Sequence, residues 1–399
     1  HQNEELKRCI RKLGIDLGFQ AVGFTDTKLD EQHANYREWI KRNFHGEMGD
    51  ELIRKIPWID AVSTGEADDV IAKLFTALSN KEEPLGLQGI LHKGKDGVIK
   101  SGAPYRPLSQ KEFENLPDPD FSDFFKTAKQ TGWNTSPEWQ NNLHLFFESS
   151  RGCWWGQKCQ CSFCGINGNS IKHRLKPGKQ VYETISNYVK KYQFRRLQPT
   201  DNNMSPEYYQ TLLPLLIQSP FKSKIRLLFE VKAIITREQM QTIADAGIVY
   251  IHPGIENFST HILKLMKKGT RAIQNIYFLK LCREYNLIAF WNYLIRVPGE
   301  RPDDYLQAKK LIPKIVHLQP PCRGRTSKLE CVRFSSYFDE KKWVKSIRPK
   351  PWYSVLFPGG HIDLSRVAYF FDADWQETLE DSAYEGVNST IKEWCRIWH

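Results

Sequence analysis

No apolar run in the 399 residues approaches the length of a membrane span. The opening residues, HQNEELKRCIRK, contain no apolar signal core, so secretion is not expected. A disulfide framework is missing too. The nine cysteines are odd in number, and Cys9, Cys282, Cys322, Cys331 and Cys395 are scattered. A reducing cytoplasm is the compartment this usage suggests. Two C-x2-C pairs would favour zinc, but there is one, Cys161–Cys164.

What the chain does have is thiol density in one place. Residues 149–168 read SSRGCWWGQKCQCSFCGING, with Cys153, Cys159, Cys161 and Cys164 inside twelve positions. Gly152, Gly156, Gly165 and Gly168 flank them. Such density without an export signal points to a soft metal. An iron–sulfur loop is the first reading; zinc and unligated structural cysteines are the alternatives. Three thiolates leave one iron of a cluster open for chemistry, whereas four close it for electron transfer or structure. The Trp154–Trp155 pair reads as a hydrophobic anchor. The net charge of +11 serves either a solubilising surface or attraction to an acidic peptide or nucleic acid.

Residues 4–17 place Leu6, Ile10, Leu13 and Leu17 at helical spacing. Residues 5–48 resemble the opening of epoxyqueuosine reductases, cobalamin-dependent tRNA-modification enzymes, in LGIDLGFQAVGFTDT and FHGEM. The paired ferredoxin cysteine motifs of that family do not follow, so its activity is not carried over. Residues 49–110 read as the remnant of a flavodoxin-like, cobalamin-binding-type α/β region. Its features are a buried strand ending at Gly65, an acidic helix start at Glu66, Asp68 and Asp69, and a hairpin turning at Gly94–Gly97. Residues 111–143, rich in Pro, Asp and Ser, read as a surface linker.

From residue 144 strands and helices alternate. HLFFES delivers the cysteine loop, a helix follows over 178–192, and FRRLQPT is a second strand ending at Asp201. IRLLFEVKAII, IVYIHP, LIAFWNYLIRV and VHLQPP supply four more strands. Thr236 and Gln239 form a capping box between two of them, and Pro302 opens another helix. Six such units predict parallel strands, with chemistry at their carboxyl ends. The fold class expected is α/β, a partial six-unit barrel over 144–345. Residues 346–399, with four tryptophans, read as an aromatic helical cap without chemistry.

SRGCWWGQKCQCSFCGING resembles the signature of radical S-adenosylmethionine (SAM) enzymes of the cobalamin-associated kind, specifically the ribosomal-peptide maturation methyltransferases. The likeness continues through FEVKAIITREQMQTIADAG, HPGIENFSTHILKLMKKGT, FWNYLIRVPGE, HLQPP and RFSSYFD, about residues 46–375. It implies a 4Fe–4S cluster on Cys153, Cys161 and Cys164, with SAM on the open iron. Cys159 departs from the pattern, and a ligand swap with Cys161 stays open.

SAM needs carboxylates near its ammonium and ribose, and a cation near its carboxylate. Alternation puts Glu230 and Lys232 on one strand face, where a mutual ion pair is the bland alternative. Asp201 and Glu256 close strands, and each is otherwise a helix cap. Gly165 either brings backbone to the cluster or makes a turn. Asn292 and Arg296 share a face and either contact SAM or pack, and a core role suits Tyr250 and His252. The resemblance implies reductive cleavage of SAM to methionine and a 5′-deoxyadenosyl radical, then C-methylation of a precursor peptide, with a flavodoxin or ferredoxin as reductant. Cobalamin stays open, because no Asp-x-His-x-x-Gly motif is present. The competing readings are a radical SAM enzyme acting on RNA and a non-catalytic cluster carrier or peptide scaffold. No side chain is assigned as acid or base.

Overall fold

The structure, a computed structural model, describes residues 47–399 apart from 138, 140–142, 169, 224, 323 and 399. The helix expected over 4–17 and nearly all of the reductase-like segment 1–48 lie outside the described residues. Strands β1 (Ala61–Ser63), β2 (Ile90–Lys93) and β3 (Ile99–Ser101) form a sheet in that order, antiparallel throughout. The hairpin turn falls where expected, Gly97 N donating to Gly94 O at 2.8 Å. A flavodoxin-like region would carry parallel strands. A turn this short between β2 and β3 permits only antiparallel pairing. The helix after β1 starts at Ile71, not at Glu66, because Glu66 and Asp68 are engaged by arginines of the cysteine loop.

Residues 111–143 are less of a linker than their composition suggests. Helices Gln110–Glu114 and Ser122–Gln130 occur there, the first capped by Ser109 and Glu112. Phe125 stacks on Tyr192 with ring centroids 4.9 Å apart, and Phe124 stacks on Trp139 at 5.6 Å. Adjacent aromatics anchor this stretch, a pattern that helical periodicity does not register.

The barrel region begins at β4 (Leu145–Phe147), followed by the short hairpin β5 (Ser150–Arg151) and β6 (Arg174–Leu175) that frames the cysteine loop. Next come β7 (Arg196–Pro199), β8 (Arg226–Val231), β9 (Ile248–Pro253) and β10 (Ile288–Ala289). These last four and β4 make one sheet in the order β10-β9-β8-β7-β4, every pair parallel. Alternation along β8 buries Leu227, Phe229 and Val231 in the core and turns Glu230 to the opposite face. Helix Gly178–Tyr192 buries Val181, Ile185 and Tyr188, one stripe at helical spacing. Thr236 and Gln239 form the expected capping box, with bonds of 3.2 and 3.0 Å.

The expected fifth strand is broken. It resumes as β11 (Tyr293–Ile295), which pairs parallel with β12 (Thr326–Lys328), and an isolated parallel bridge joins Glu256 to Tyr293. VHLQPP is not a strand: Pro320 and Pro321 have no N–H to donate to a ladder. The segment still runs beside the fifth position, Gln319 Oε1 accepting from Ala289 N at 2.9 Å. The sixth strand is therefore β12. The result is an α/β fold with a partial parallel barrel.

The tail is no simple helical cap. β13 (Cys331–Val332), β14 (Val344–Pro349) and β15 (Phe370–Trp375) form an antiparallel sheet in the order β13-β15-β14. β14 crosses the boundary expected at 345/346. Helix Ser382–Trp398 then buries Tyr384, Val387, Ile391 and Trp394 against the barrel. The hydroxyls of Tyr384 and Tyr305 both donate to the buried Glu300 carboxylate. No helix among the described residues is long and apolar enough to cross a membrane.

Candidate metal and cofactor site

The cysteine loop leaves the sheet at the carboxyl end of β4 and is anchored at its base. Asp201, just past β7, accepts from Ser149 N at 3.0 Å, Ser150 N at 2.8 Å and the Ser149 hydroxyl. Burial pushes its carboxyl up to about 6 despite those three donors. Within the loop, Cys153 caps helix Trp154–Lys158, its Sγ accepting from Gly156 N at 3.3 Å. Trp154 Nε1 donates to Met204 O at 3.1 Å, and Ser162 Oγ to Leu265 O at 3.0 Å. The loop is thereby fixed at both ends and in its middle.

Cys153, Cys161 and Cys164 line one cavity of about 970 Å³ over the carboxyl ends of the strands. Cys159 is exposed and does not line it. Among the described residues no three His, Cys, Asp or Glu side chains converge on a single ion. A cluster asks for something else, since its ligated irons occupy different corners and their thiolates are splayed. Burial pushes the Cys161 and Cys164 thiols up, and Lys268 works against it at both.

Glu230, Lys232 and Glu256 line the same cavity, as do Asn292 and Arg296. The Glu230–Lys232 ion pair does not form. Glu230 Oε1 lies 3.4 Å from His252 Nδ1, and that bond holds the imidazole above its ordinary value. Lys232 donates to the Lys268 carbonyl and stands 3.7 Å from the centroid of the Trp155 ring. Burial, reinforced by Lys268, pulls Lys232 down to about 8. Glu256, at φ +58°, pairs with Lys268 Nζ at 3.1 Å. Burial opposes the Lys268 charge, yet Glu256 and Cys161 keep it above the ordinary lysine value.

Two expected cofactor residues do not line the cavity. Asp201 sits behind the loop, held by the Ser149 and Ser150 amides. At Gly165 an added Cβ would fall 1.9 Å from Arg333 O, so the close approach is to β13's neighbour and not to the cluster position. Asp201 holds the loop from outside, and Gly165, within it, lets the loop pack against the Arg333 backbone.

Residues 147–312 match the family model described as the Radical SAM superfamily. They form a radical SAM domain. The match takes in the cysteine loop and the parallel strands that carry Glu230 and Glu256, and such a domain employs a 4Fe–4S cluster and SAM. The anaerobic magnesium-protoporphyrin IX monomethyl ester cyclase of Synechocystis is 21% identical over 274 residues, 65% of this chain and 50% of the cyclase. The chain thus spans about half the length of that relative. Epoxyqueuosine reductase of Escherichia coli is 43% identical over 44 residues, 11% of this chain and 12% of the reductase. Among solved structures, the radical SAM methyltransferase TsrM from Kitasatospora setae, with tryptophan and a SAM analogue bound, aligns at a TM-score of 0.60. That likeness has 14% identity and covers 98% of this chain and 81% of TsrM. The cobalamin-dependent enzyme OxsB, with aqua-cobalamin and SAM bound, aligns at 0.59, 14% identity, 98% of this chain and 60% of OxsB. At these identities the likeness is one of fold.

The donor set fits the groups such a domain binds: three thiols on one cavity, with carboxylates and cations facing them. Asn203 Oδ1 and Arg296 Nε, on residues lining the cavity, are buried without partners, as expected of a site built for a polar ligand. The cavity, unlike the matched residues 147–312, also reaches into the tail. Arg348, Lys350, Asp372 and Asp374 form the far wall, paired as Arg348–Asp374 at 3.1 Å and Lys350–Asp372 at 2.7 Å. Sequence reasoning missed these because nothing in their spacing marks a site. Lys268 was legible only as part of LMKKGT. A second cavity, about 600 Å³, lies between residues 48–66 and the loop. Ile166, Asn167 and Asn202 line both cavities, and Asn202 Nδ2 donates to Asn167 Oδ1 at 2.6 Å.

Proposed function

We propose that the chain holds a 4Fe–4S cluster through Cys153, Cys161 and Cys164 and uses SAM to C-methylate a ribosomally made precursor peptide. One observation carries the first half: three cysteines share a cavity and the fourth, Cys159, stands outside it. Three thiolates leave the fourth iron free for SAM. When bound, the cluster and SAM supply, on one-electron reduction by a flavodoxin or ferredoxin, a 5′-deoxyadenosyl radical able to take hydrogen from an unactivated carbon.

The chain's own part is binding and orientation. Glu256 and Lys268 form a buried pair whose remaining lone pairs and N–H groups face the cavity. The Glu230–His252 pair offers a carboxylate oxygen and an imidazole on the adjacent strands. These are the polar groups assigned to SAM, with Asn292 and Arg296 opposite. The substrate enters past the Arg348–Asp374 and Lys350–Asp372 pairs, a rim of mixed charge suited to a peptide backbone.

Cobalamin is assigned to the second cavity, supported by the cobalamin of OxsB and by the shared lining at Asn167 and Asn202. No histidine lines that cavity among the described residues, so the corrin would be held without an imidazole ligand. A cyclase-like reaction is the second reading, favoured by the sequence relative that covers 65% of the chain.

The test is anaerobic reconstitution with SAM and dithionite, with and without added methylcobalamin. 5′-Deoxyadenosine is expected, together with a methylated peptide when cobalamin is present. Product mass separates the readings, since ring closure removes two hydrogens and methylation replaces a hydrogen with a methyl group, a net gain of one carbon and two hydrogens. A reconstituted, iron-loaded protein that never cleaves SAM would leave only the cluster-carrier role. Methylation of RNA in place of peptide would replace the substrate assignment.

A further inference from the structure

The two lysines beside the cysteines are not equivalent. Lys268 is ion-paired with Glu256 at 3.1 Å. Lys232, 7% exposed, has no carboxylate within ion-pair distance among the described residues. Its ammonium is instead held by the Lys268 carbonyl and by the face of Trp155, 3.7 Å from the ring centroid. Trp155 belongs to the cysteine loop itself, between Cys153 and Cys161. Its ring is seated against Gly269, where an added Cβ would fall 2.2 Å from the indole, and Gly269 has φ +67°. Trp155 Nε1 lies 3.4 Å from Lys267 O. The loop therefore carries its own aromatic clamp for an uncompensated cation.

We infer that Lys232, positioned by Trp155, is the charge partner of the cluster and sets how readily that cluster accepts its electron. The inference rests on the cluster assignment proposed above. Reduction adds one electron and one negative charge to a cluster already carrying three thiolates, and no bond is made or broken. A fixed positive charge in the same cavity favours the reduced form more than the oxidised one. An aromatic clamp does this better than a carboxylate, because a carboxylate would cancel the charge that matters. Lys268 also acts on Cys161 and Cys164, but its paired Glu256 works against it at Cys161. In this view Trp155 is a positioning residue and not a hydrophobic plug.

The decisive measurement is a redox titration of reconstituted protein without SAM, following the reduced cluster by electron paramagnetic resonance. Omitting SAM separates this role from any contact between Lys232 and the SAM carboxylate. At a fixed applied potential, Lys232→Met is expected to lower the reduced-to-oxidised ratio about tenfold, about 59 mV for a one-electron couple. Lys232→Arg should stay near the wild type, and Trp155→Leu should fall between the two. Iron and sulfide content, measured on the same samples, distinguishes the failures. A fully loaded Lys232→Met protein that titrates like the wild type overturns this inference alone. Wild-type protein that binds no cluster overturns the assignment on which it stands. Should Lys232→Met fail to load, Trp155→Leu decides, and an unchanged potential there overturns the clamp.

Discussion

Cys159 and Cys161 differ by two positions and by everything that matters to a metal. Cys161 lines the cavity with Cys153 and Cys164, whereas Cys159 ends a helix on the surface. Cys159→Ser is expected to keep wild-type iron and sulfide after reconstitution, and Cys161→Ser to lose the cluster's visible absorbance. Equal loss in both variants would mean that the ligands exchange. Asp201 makes a different kind of prediction. Burial raises its carboxyl from 3.8 to about 6, so the folded state favours the protonated form. Its contribution to stability is present below about 3.8 and is lost as the pH rises through about 6. Thermal melts should show the advantage of the wild type over Asp201→Asn shrinking between those limits, by on the order of 2–3 kcal/mol. A pH-independent difference would show that the three donors fully offset the burial. The cysteine cluster was visible in residues 149–168, because such spacing is local, but that Cys161 and not Cys159 lines the cavity was not. That Asp201 faces the loop's base and not SAM was not, because a carboxylate at a strand end reads alike in both roles.

At the level of elements, β8 shows what alternation can and cannot convey. The pattern correctly separates Phe229 and Val231 from Glu230. Phe229→Ala should destabilise the fold by about 3–5 kcal/mol, the usual cost of emptying a packed aromatic site, measurable by denaturant unfolding. Glu230→Gln, on the cavity side, should cost much less stability while weakening SAM retention. If the two effects were reversed, the faces would be wrongly assigned. The capping box at Thr236 and Gln239 formed as expected, whereas the acidic start at Glu66, Asp68 and Asp69 did not open a helix. The misreadings fall where one element depends on a distant partner. β12 is a strand only because β11 offers it an edge, and β14 only because β15 does.

Across the whole molecule, ion pairs join residues 47–110 to the barrel. Arg174, with a fully buried side chain, binds Glu66 through Nη1 at 2.7 Å, and Arg151 reaches Asp68 at 2.8 Å and Glu148 at 2.7 Å. At the other side Glu51 accepts from Arg366 at 2.7 Å. Glu66, Glu148 and Arg151 of these pairs line the second cavity. Glu66→Ala leaves the Arg174 charge buried without its partner, a change that costs about 3–5 kcal/mol. Limited proteolysis should then cut faster within residues 80–110, and cobalamin retention should fall with it. Replacing Glu66 and Arg174 together by apolar residues should recover much of the lost stability, and a double variant no better than the single one would contradict the pairing.

Strand–helix alternation, the metal loop and the helix caps were decided by the sequence itself, because each rests on residues within a turn or a few positions of one another. The antiparallel N-terminal sheet, the β11–β12 pair and the tail's place in the cavity wall were decided by tertiary structure, because each is a pairing between distant segments. The same division runs through the site. That the cysteines cluster was local information; that Cys161 and not Cys159 lines the cavity came from the fold. That Lys232 rests on Trp155 while Lys268 is paired with Glu256 depends on how the ends of β8 and β9 meet the loop.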